Sequence, residues 1–333
     1  MTDIGWLTRQ LPAYAQMPRR TEADYYGASD LIAAALGYDA APPSVASWKH
    51  GVSYLGQLHH PALMLTEGNR TTRHLVANAE QAQQLRQRGF LRVHAVGAPF
   101  AYVGATPVAR VPGSLLVMPA HGVFNSAHAF EEDAYVEQLQ SIRGRFEVVV
   151  ACISAACARK GQWAPAFQRR GIPWIVGADS TDRNALRRMA RLFDAFEYVT
   201  TNTLGSHVAY AAHRGCKVSL WGPIATYRLE DFKDVPWYRK NWDKAAEIID
   251  ALSEQSLRRA HPHLFAHPAE ARPLQAWSAP YLGVAHLRRA GEIARLLGWT
   301  ALGQAEALAH RAARRFGELG RAALRRIHRP STA

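Results

Sequence analysis

Lysine is scarce in this chain: it supplies six of the forty basic side chains, arginine the rest, against 27 acidic ones. Cysteine is scarcer. Cys152, Cys157 and Cys216 form no even set, and the C-x4-C pair has no second pair to complete a metal site, which argues against a disulfide framework and a structural zinc. A reducing, cytoplasmic setting is expected. No window holds 18 uninterrupted apolar residues, so no membrane-spanning helix is expected. The opening MTDIGWLTRQ lacks the basic-then-apolar order of a secretory signal. Also missing are a G-x-x-x-x-G-K-[ST] loop and a G-x-G-x-x-G turn, so ATP and NAD readings have no motif to rest on.

What is present is ordinary for a soluble protein, 48% hydrophobic and 20% charged. A length of 333 residues is long for one core, and two domains are the first expectation. The net charge of +13 points to an anionic partner, or to an arginine-rich composition with no partner implied. No stacked-aromatic or recognition-helix pattern accompanies the charge, so nucleic acid is not an expected partner.

The first forty residues read as mainly helical, with ASDLIAAALGY ending at a glycine before a Pro-Pro loop. HLVAN, AEQAQQLRQRGF and RVHAVGAPF then read as strand, helix and strand, the helix closed by Gly89. A second series follows ARVPGS. Its strands are SLLVMPA, FEVVVACIS, IPWIVGA, EYVTTN and KVSLWGP, separated by four helical stretches. Repeated β-α units of this kind predict a parallel sheet with helices on both faces. We divide the chain into a first α/β domain (residues 1–111), a second Rossmann-like domain (112–285) and a basic helical tail (286–333).

Ligands of such sheets bind beyond the carboxyl ends of the strands. That rule singles out His121 to Ser126, Ser154 to Lys160, Asp179 to Asn184 and Asn202 to His207. The last is the richest. In EYVTTNTLGSHVAYAA, Ser206 is placed at a helix start whose free N–H groups and positive dipole end suit an anion, with Thr201, Asn202, Thr203, Gly205 and His207 around it. Plain N-capping by Ser206 is the competing account. His121, Asn125, Ser126 and Asp179 are candidate donors to the same ligand. His50 in WKHGVSYLG and Glu67 in LTEGNR are candidate general bases for chemistry between the domains. The triplet His261, His263 and His267 reads as a surface loop before it reads as a metal site. From Ala301 onward seven arginines face two glutamates, with Phe316, Leu319, Leu324 and Ile327 at roughly helical spacing. Such a helix either lies on anionic lipid or packs as a closing helix.

The stretches HLVANAEQAQQLRQRGFLRVHAVGAPFAYV, RVPGSLLVMPAHG, GADSTDRNALRRMARLFDAFEYVTTNTLGSHVAYAA and KVSLWGP resemble bacterial polysaccharide biosynthesis proteins similar to GT-B glycosyltransferases. The resemblance runs from about Trp48 to Pro223. It implies two Rossmann-like domains whose parallel sheets face each other across a cleft. It also implies transfer of sugar from a nucleotide-activated donor to a glycan or lipid-linked glycan of capsule or lipopolysaccharide, on the inner face of the inner membrane, with no metal and no cofactor. More distantly, the polar corner is similar to that of CMP-sugar-dependent sialyl- and Kdo-transferases, where a Ser/Thr pair at a helix start binds the donor phosphate. Thr201 to Ser206 fill that place. The His-Pro motif of those enzymes is replaced by VGADSTDRN, and His121 is the remaining substitute. Transfer of a polyol phosphate from a CDP-linked donor, and a non-catalytic nucleotide- or carbohydrate-binding role, stay open as alternatives.

Overall fold

The computed structural model describes residues 4–17, 21–54, 70–121, 130–234, 238–239, 241–305 and 307–308. Two parallel sheets organise them. The first has three short strands, β1 (Ala46–Trp48), β2 (Arg73–Val76) and β3 (Val93–Ala95), in the order β1-β2-β3. The second has five, β4 (Val111–Val117), β5 (Val148–Ile153), β6 (Trp174–Val176), β7 (Phe196–Thr201) and β8 (Lys217–Leu220), in the order β6-β5-β4-β7-β8. All four of its pairings are parallel. The order turns back on itself between β4 and β7, which makes that gap the crevice where doubly wound sheets hold ligands.

Local sequence explains each crossover. α1 (Gly5–Thr8), α2 (Ala28–Ala35) and α3 (Ala79–Gln87) belong to the first half; α3 is capped by Asn78, whose side chain accepts the Gln81 N–H, and ends before Gly89 at φ +83°. In the second half α4 (Glu132–Ile142), α5 (Ala155–Arg159) and α6 (Ala164–Arg169), α7 (Ala185–Ala195) and α8 (Ser206–His213) connect successive strands. α7 buries Leu186, Met189, Ala190 and Phe193, spaced three and four apart, against the sheet. Burying Phe193 completely is worth roughly 1.5–3 kcal/mol, and truncating it to alanine would cost about 3–5 kcal/mol. After β8 the chain is mostly helical: α9 (Trp242–Ala251), α10 (Glu254–Ala260), α11 (Gln275–Leu282) and α12 (Ala290–Leu297).

The first forty residues are less helical than expected. α1 is one turn, and residues 12–17 run without helix beside the loop after β6. There Met17 donates to the Thr181 carbonyl, Arg183 to that of Ala15, and Gln16 bridges Asp182. The stripe Asn184, Arg188 and Arg191 on α7 donates in turn to the carbonyls of Ala13, Pro12 and Gln10. A short 3-10 stretch, Glu22–Gly27, follows; Gly27 sits at φ +77°, and a Cβ there would lie 1.9 Å from the Arg183 carbonyl oxygen. Only glycine fits so close an approach.

α12 packs on α2 and on β1 and β2, so the C-terminal part of the described chain returns to the first sheet. One apolar cluster, holding Trp48, Leu75, Phe100, Val150, Phe193 and Val208 among others, passes through both halves. The boundary between residues 111 and 112 falls at the first residue of β4. Arginines tie distant segments together by donating to carbonyls: Arg73 to Leu296, Arg110 to Arg214 and Gly215, and Arg214 to Val103. Among the described residues, no helix is long and apolar enough to cross a membrane. The basic stretch beyond residue 308 lies outside the described residues.

Candidate active site

The crevice between β4 and β7 is closed from inside by the side chains the sequence had nominated. The Thr201 hydroxyl accepts the Thr203 N–H at 3.3 Å and lies 3.0 Å from His207 Nε2. Asn202 accepts the Ala120 N–H at 2.8 Å, donates to the Pro223 carbonyl at 3.1 Å, and so pins the ends of β4 and β8 to that of β7. The Thr203 hydroxyl meets the Tyr227 hydroxyl at 3.1 Å. Thr201, Asn202 and Thr203 are buried. Their polar atoms shape the corner, and the structure points them at protein.

What the corner turns outward is the start of α8. Gly205, not Ser206, is the N-cap, and it has no side chain to satisfy the first-turn N–H groups. A Cβ on Gly205 would come within 2.9 Å of His207 Nδ1, so the position stays bare. Ser206 occupies the first helical turn, and its hydroxyl accepts the Val52 N–H at 2.9 Å. His207 is lowered to about 3, by burial first and by the neighbouring His121 second, so it is a neutral ring at pH 7. That coupling brings His121, after β4, and His207, after β7, to the same switch point.

The loop after β1 forms the opposite wall. Tyr54 donates to the Gly205 carbonyl at 2.9 Å and Tyr210 on α8 donates to the His50 carbonyl at 2.5 Å, so the carboxyl ends of β1 and β7 meet. His50 Nδ1 stands 3.3 Å from the Glu22 carboxylate, and its ring stacks on Tyr25 with centroids 5.3 Å apart and planes within 4°. The Glu22 side chain is fully covered, whereas His50 keeps 24% exposure. Burial by itself would raise Glu22; His50, Lys49 and Ser47 together overcome it and bring the carboxyl down to about 2. Burial also pulls Lys49 down, against the Glu22 charge that holds it up. A buried carboxylate behind a part-exposed imidazole is the arrangement that orients a general base and steadies its protonated form.

Glu22 was not visible as a site residue in the sequence. The TEAD stretch marks a helical start, and Asp24 does accept the Thr21 N–H, but nothing local says that Glu22 turns inward to meet a histidine 28 positions away. Asp179 is taken up by contacts within the protein. Arg159 contacts it at 2.5 Å and both the N–H and hydroxyl of Thr181 bond to it, so it holds its own loop. Glu67, Asn125 and Ser126 lie outside the described residues. The three histidines after α10 separate: His261 and His263 pack edge-on to Trp277, while His267 sits against Trp221. Among the described residues no three His, Cys, Asp or Glu side chains gather as a metal cluster.

No protein-family profile matches the chain, and no curated protein matches it. Among solved structures it is similar to an S. aureus TarM variant in complex with Fondaparinux, alpha-GlcNAc-glycerol and UDP. That likeness has 10% identity and a TM-score of 0.28, over 72% of this chain and 43% of that one. It is also similar to the pneumococcal O-GlcNAc transferase GtfA in complex with UDP and GlcNAc, at 13% identity and a TM-score of 0.29, over 79% of this chain and 52% of that one. The chain thus matches about half the length of each. Superpositions this loose leave the architecture to rest on the chain's own strand order.

Proposed function

We propose that the protein is a GT-B-like glycosyltransferase that takes sugar from a nucleotide-activated donor, CMP-linked in the first instance, to a bacterial surface glycan. One observation supports this most: the carboxyl ends of two parallel sheets are brought together with an uncapped helix start on one side and a carboxylate–imidazole pair on the other. The donor phosphate would sit at the first turn of α8, where backbone N–H groups and the helix dipole favour negative charge. His50 would take the proton from an acceptor hydroxyl as that oxygen bonds to the anomeric carbon. The bond from that carbon to the phosphate oxygen breaks, and the nucleotide leaves with the electron pair. Glu22 is the positioning residue for His50 and would steady the imidazolium. The CMP preference rests on the resemblance of the polar corner alone, and the arginine-rich C-terminal stretch is proposed to favour an anionic membrane face.

Calorimetry with CMP, CDP, UDP, GDP and their sugars tests the donor side. One nucleotide family is expected to bind, and Ser206→Ala to weaken it about tenfold. His50→Ala is expected to leave that affinity unchanged while lowering turnover roughly 10²–10⁴-fold. The reading fails if no nucleotide binds, or if His50→Ala turns over normally. Binding without turnover by the wild-type protein leaves a non-catalytic nucleotide-binding role, and a product heavier by a polyol phosphate moves the protein to that class of transferase.

A further inference from the structure

Beside this centre lies a second concave site. A cavity of about 310 Å³ is lined by Ser53, Asn78, Glu80, Ala276, Trp277, Pro280 and Tyr281. Its volume is at the lower end for ligand pockets, ~300–1,000 Å³, suited to a single ring system. Helix α11 builds one wall. Trp277 and Tyr281, four residues apart, share a face, with centroids 5.2 Å apart and planes tilted by 58°. The indole is held from behind: Tyr54 stacks at 6.0 Å and 16°, and His261 and His263 meet it edge-on at 5.9 and 5.4 Å. A ring fixed on several sides offers a platform at little entropic cost to a ligand.

The opposite wall is polar. Asn78 gives an amide hydrogen to the Pro280 carbonyl at 3.2 Å while its oxygen caps α3, so its orientation is fixed. Glu80 is exposed on the first turn of α3, and its charge adds to the burial that raises Tyr281. Pro280 stands inside α11 and has no N–H to give the Ala276 carbonyl, and both residues line the cavity on the α11 side. Flat aromatic surface across from a carboxylate and an amide matches a pyranose, whose faces are apolar and whose rim is hydroxyl. Among the described lining residues there is no lysine, arginine or histidine, and the Glu80 charge repels a phosphate or a sugar carboxylate. The position is also apt. Ser53 follows His50 by three residues, and Tyr54 links Trp277 to the N-cap of α8.

We infer that this cavity is a subsite for a neutral sugar residue of the acceptor glycan, stacked on Trp277 and Tyr281 and bound through its hydroxyls by Glu80 and Asn78. The acceptor assignment rests on the transferase reading; saccharide binding itself does not. Titrating the full chain with neutral oligosaccharides of glucose, galactose and N-acetylglucosamine, and with glucuronate- and sialate-terminated ones, reads the site by calorimetry and tryptophan fluorescence. Neutral sugars are expected to bind and acidic ones to bind about tenfold more weakly. Trp277→Ala is expected to weaken neutral sugars about tenfold. Glu80→Gln, at an exposed position that leaves the fold alone, narrows the gap between neutral and acidic sugars. Equal binding of both sugar classes overturns the inference, as does binding indifferent to both substitutions or no saccharide binding at all. Nucleotide affinity, measured on the same Trp277→Ala protein, stays unchanged. If nucleotides bind and saccharides do not, this subsite falls and the transferase reading stands; Trp277-dependent saccharide binding without nucleotide binding reverses that outcome.

Discussion

Replacing Glu22 by glutamine tests the wall opposite α8 without touching α8. Glu22 is held at about 2, from an ordinary value of 4.5, inside a cluster with Lys49, His50 and Ser47. A depressed carboxyl stabilises the fold above its unfolded pKa and loses that contribution as pH falls through its folded value. The window is therefore about pH 4.5 to 2, and the shift corresponds to ~3 kcal/mol at about 1.4 kcal/mol per unit. The wild-type protein should lose this much more stability across the window than Glu22→Gln, whatever the other carboxylates contribute, because those are common to both proteins. At pH 7 the variant should be weaker by about 3–5 kcal/mol, since Lys49 loses its partner in a buried setting, and adding Lys49→Met should restore part of the loss. Urea denaturation at pH 7, 5, 4 and 3 supplies all these numbers. Parallel curves for wild type and Glu22→Gln below pH 5 would refute the ionised cluster, and with it the case for Glu22 as the positioning residue of His50.

Three further outcomes are expected. His207, lowered to about 3 by burial and by His121, is neutral in the fold, so its contribution is full above pH 6.5 and falls by up to about 1.4 kcal/mol per unit as acid is added; His207→Gln should flatten that slope in thermal melts between pH 6.5 and 5. Gly27→Ala would force a Cβ into the Arg183 carbonyl at a left-handed φ and should cost more than about 2 kcal/mol in urea denaturation, with faster proteolysis within residues 10–30. Cys152, Cys157 and Cys216 are buried, and burial pushes Cys152 and Cys216 up to about 12, so a thiol reagent should find no reactive cysteine at pH 8 until denaturant is added.

The second sheet was legible because its strands are apolar runs punctuated by glycines at helix ends, and parallel burial on both faces is what such runs encode. EYVTTN and KVSLWGP fall on β7 and β8, and WAPAFQRRG falls on α6 with Gly171 at φ +61°. β1 was not legible. Three residues, Ala46–Trp48, carry too little pattern to announce a strand, and their partner β2 begins 25 residues later. At the site, sequence brought out the residue types of the polar corner but not their direction. Thr201, Asn202 and Thr203 look the same in a string whether they face a ligand or each other; it took the contacts to Ala120, Pro223 and Tyr227 to decide. His50 was nominated by position alone. Its partner was hidden because a long-range pair leaves no periodicity behind.

The arginines that join segments by their carbonyls bear on how this chain can vary. Each guanidinium offers a planar fan of donors, and Arg110 uses three contacts at once, to Phe193, Arg214 and Gly215. An ammonium on a flexible stem is a compact point of charge and cannot reproduce that fan. Exchanging Arg73, Arg110, Arg188, Arg191 and Arg214 for lysine would keep every unit of the net charge and yet loosen residues 10–12 from α7, α12 from β2, and the turn after α8 from residues 103–110. The scarcity of lysine at those positions is then a property of architecture, and a relative could drift far in isoelectric point, so long as those five positions kept the guanidinium.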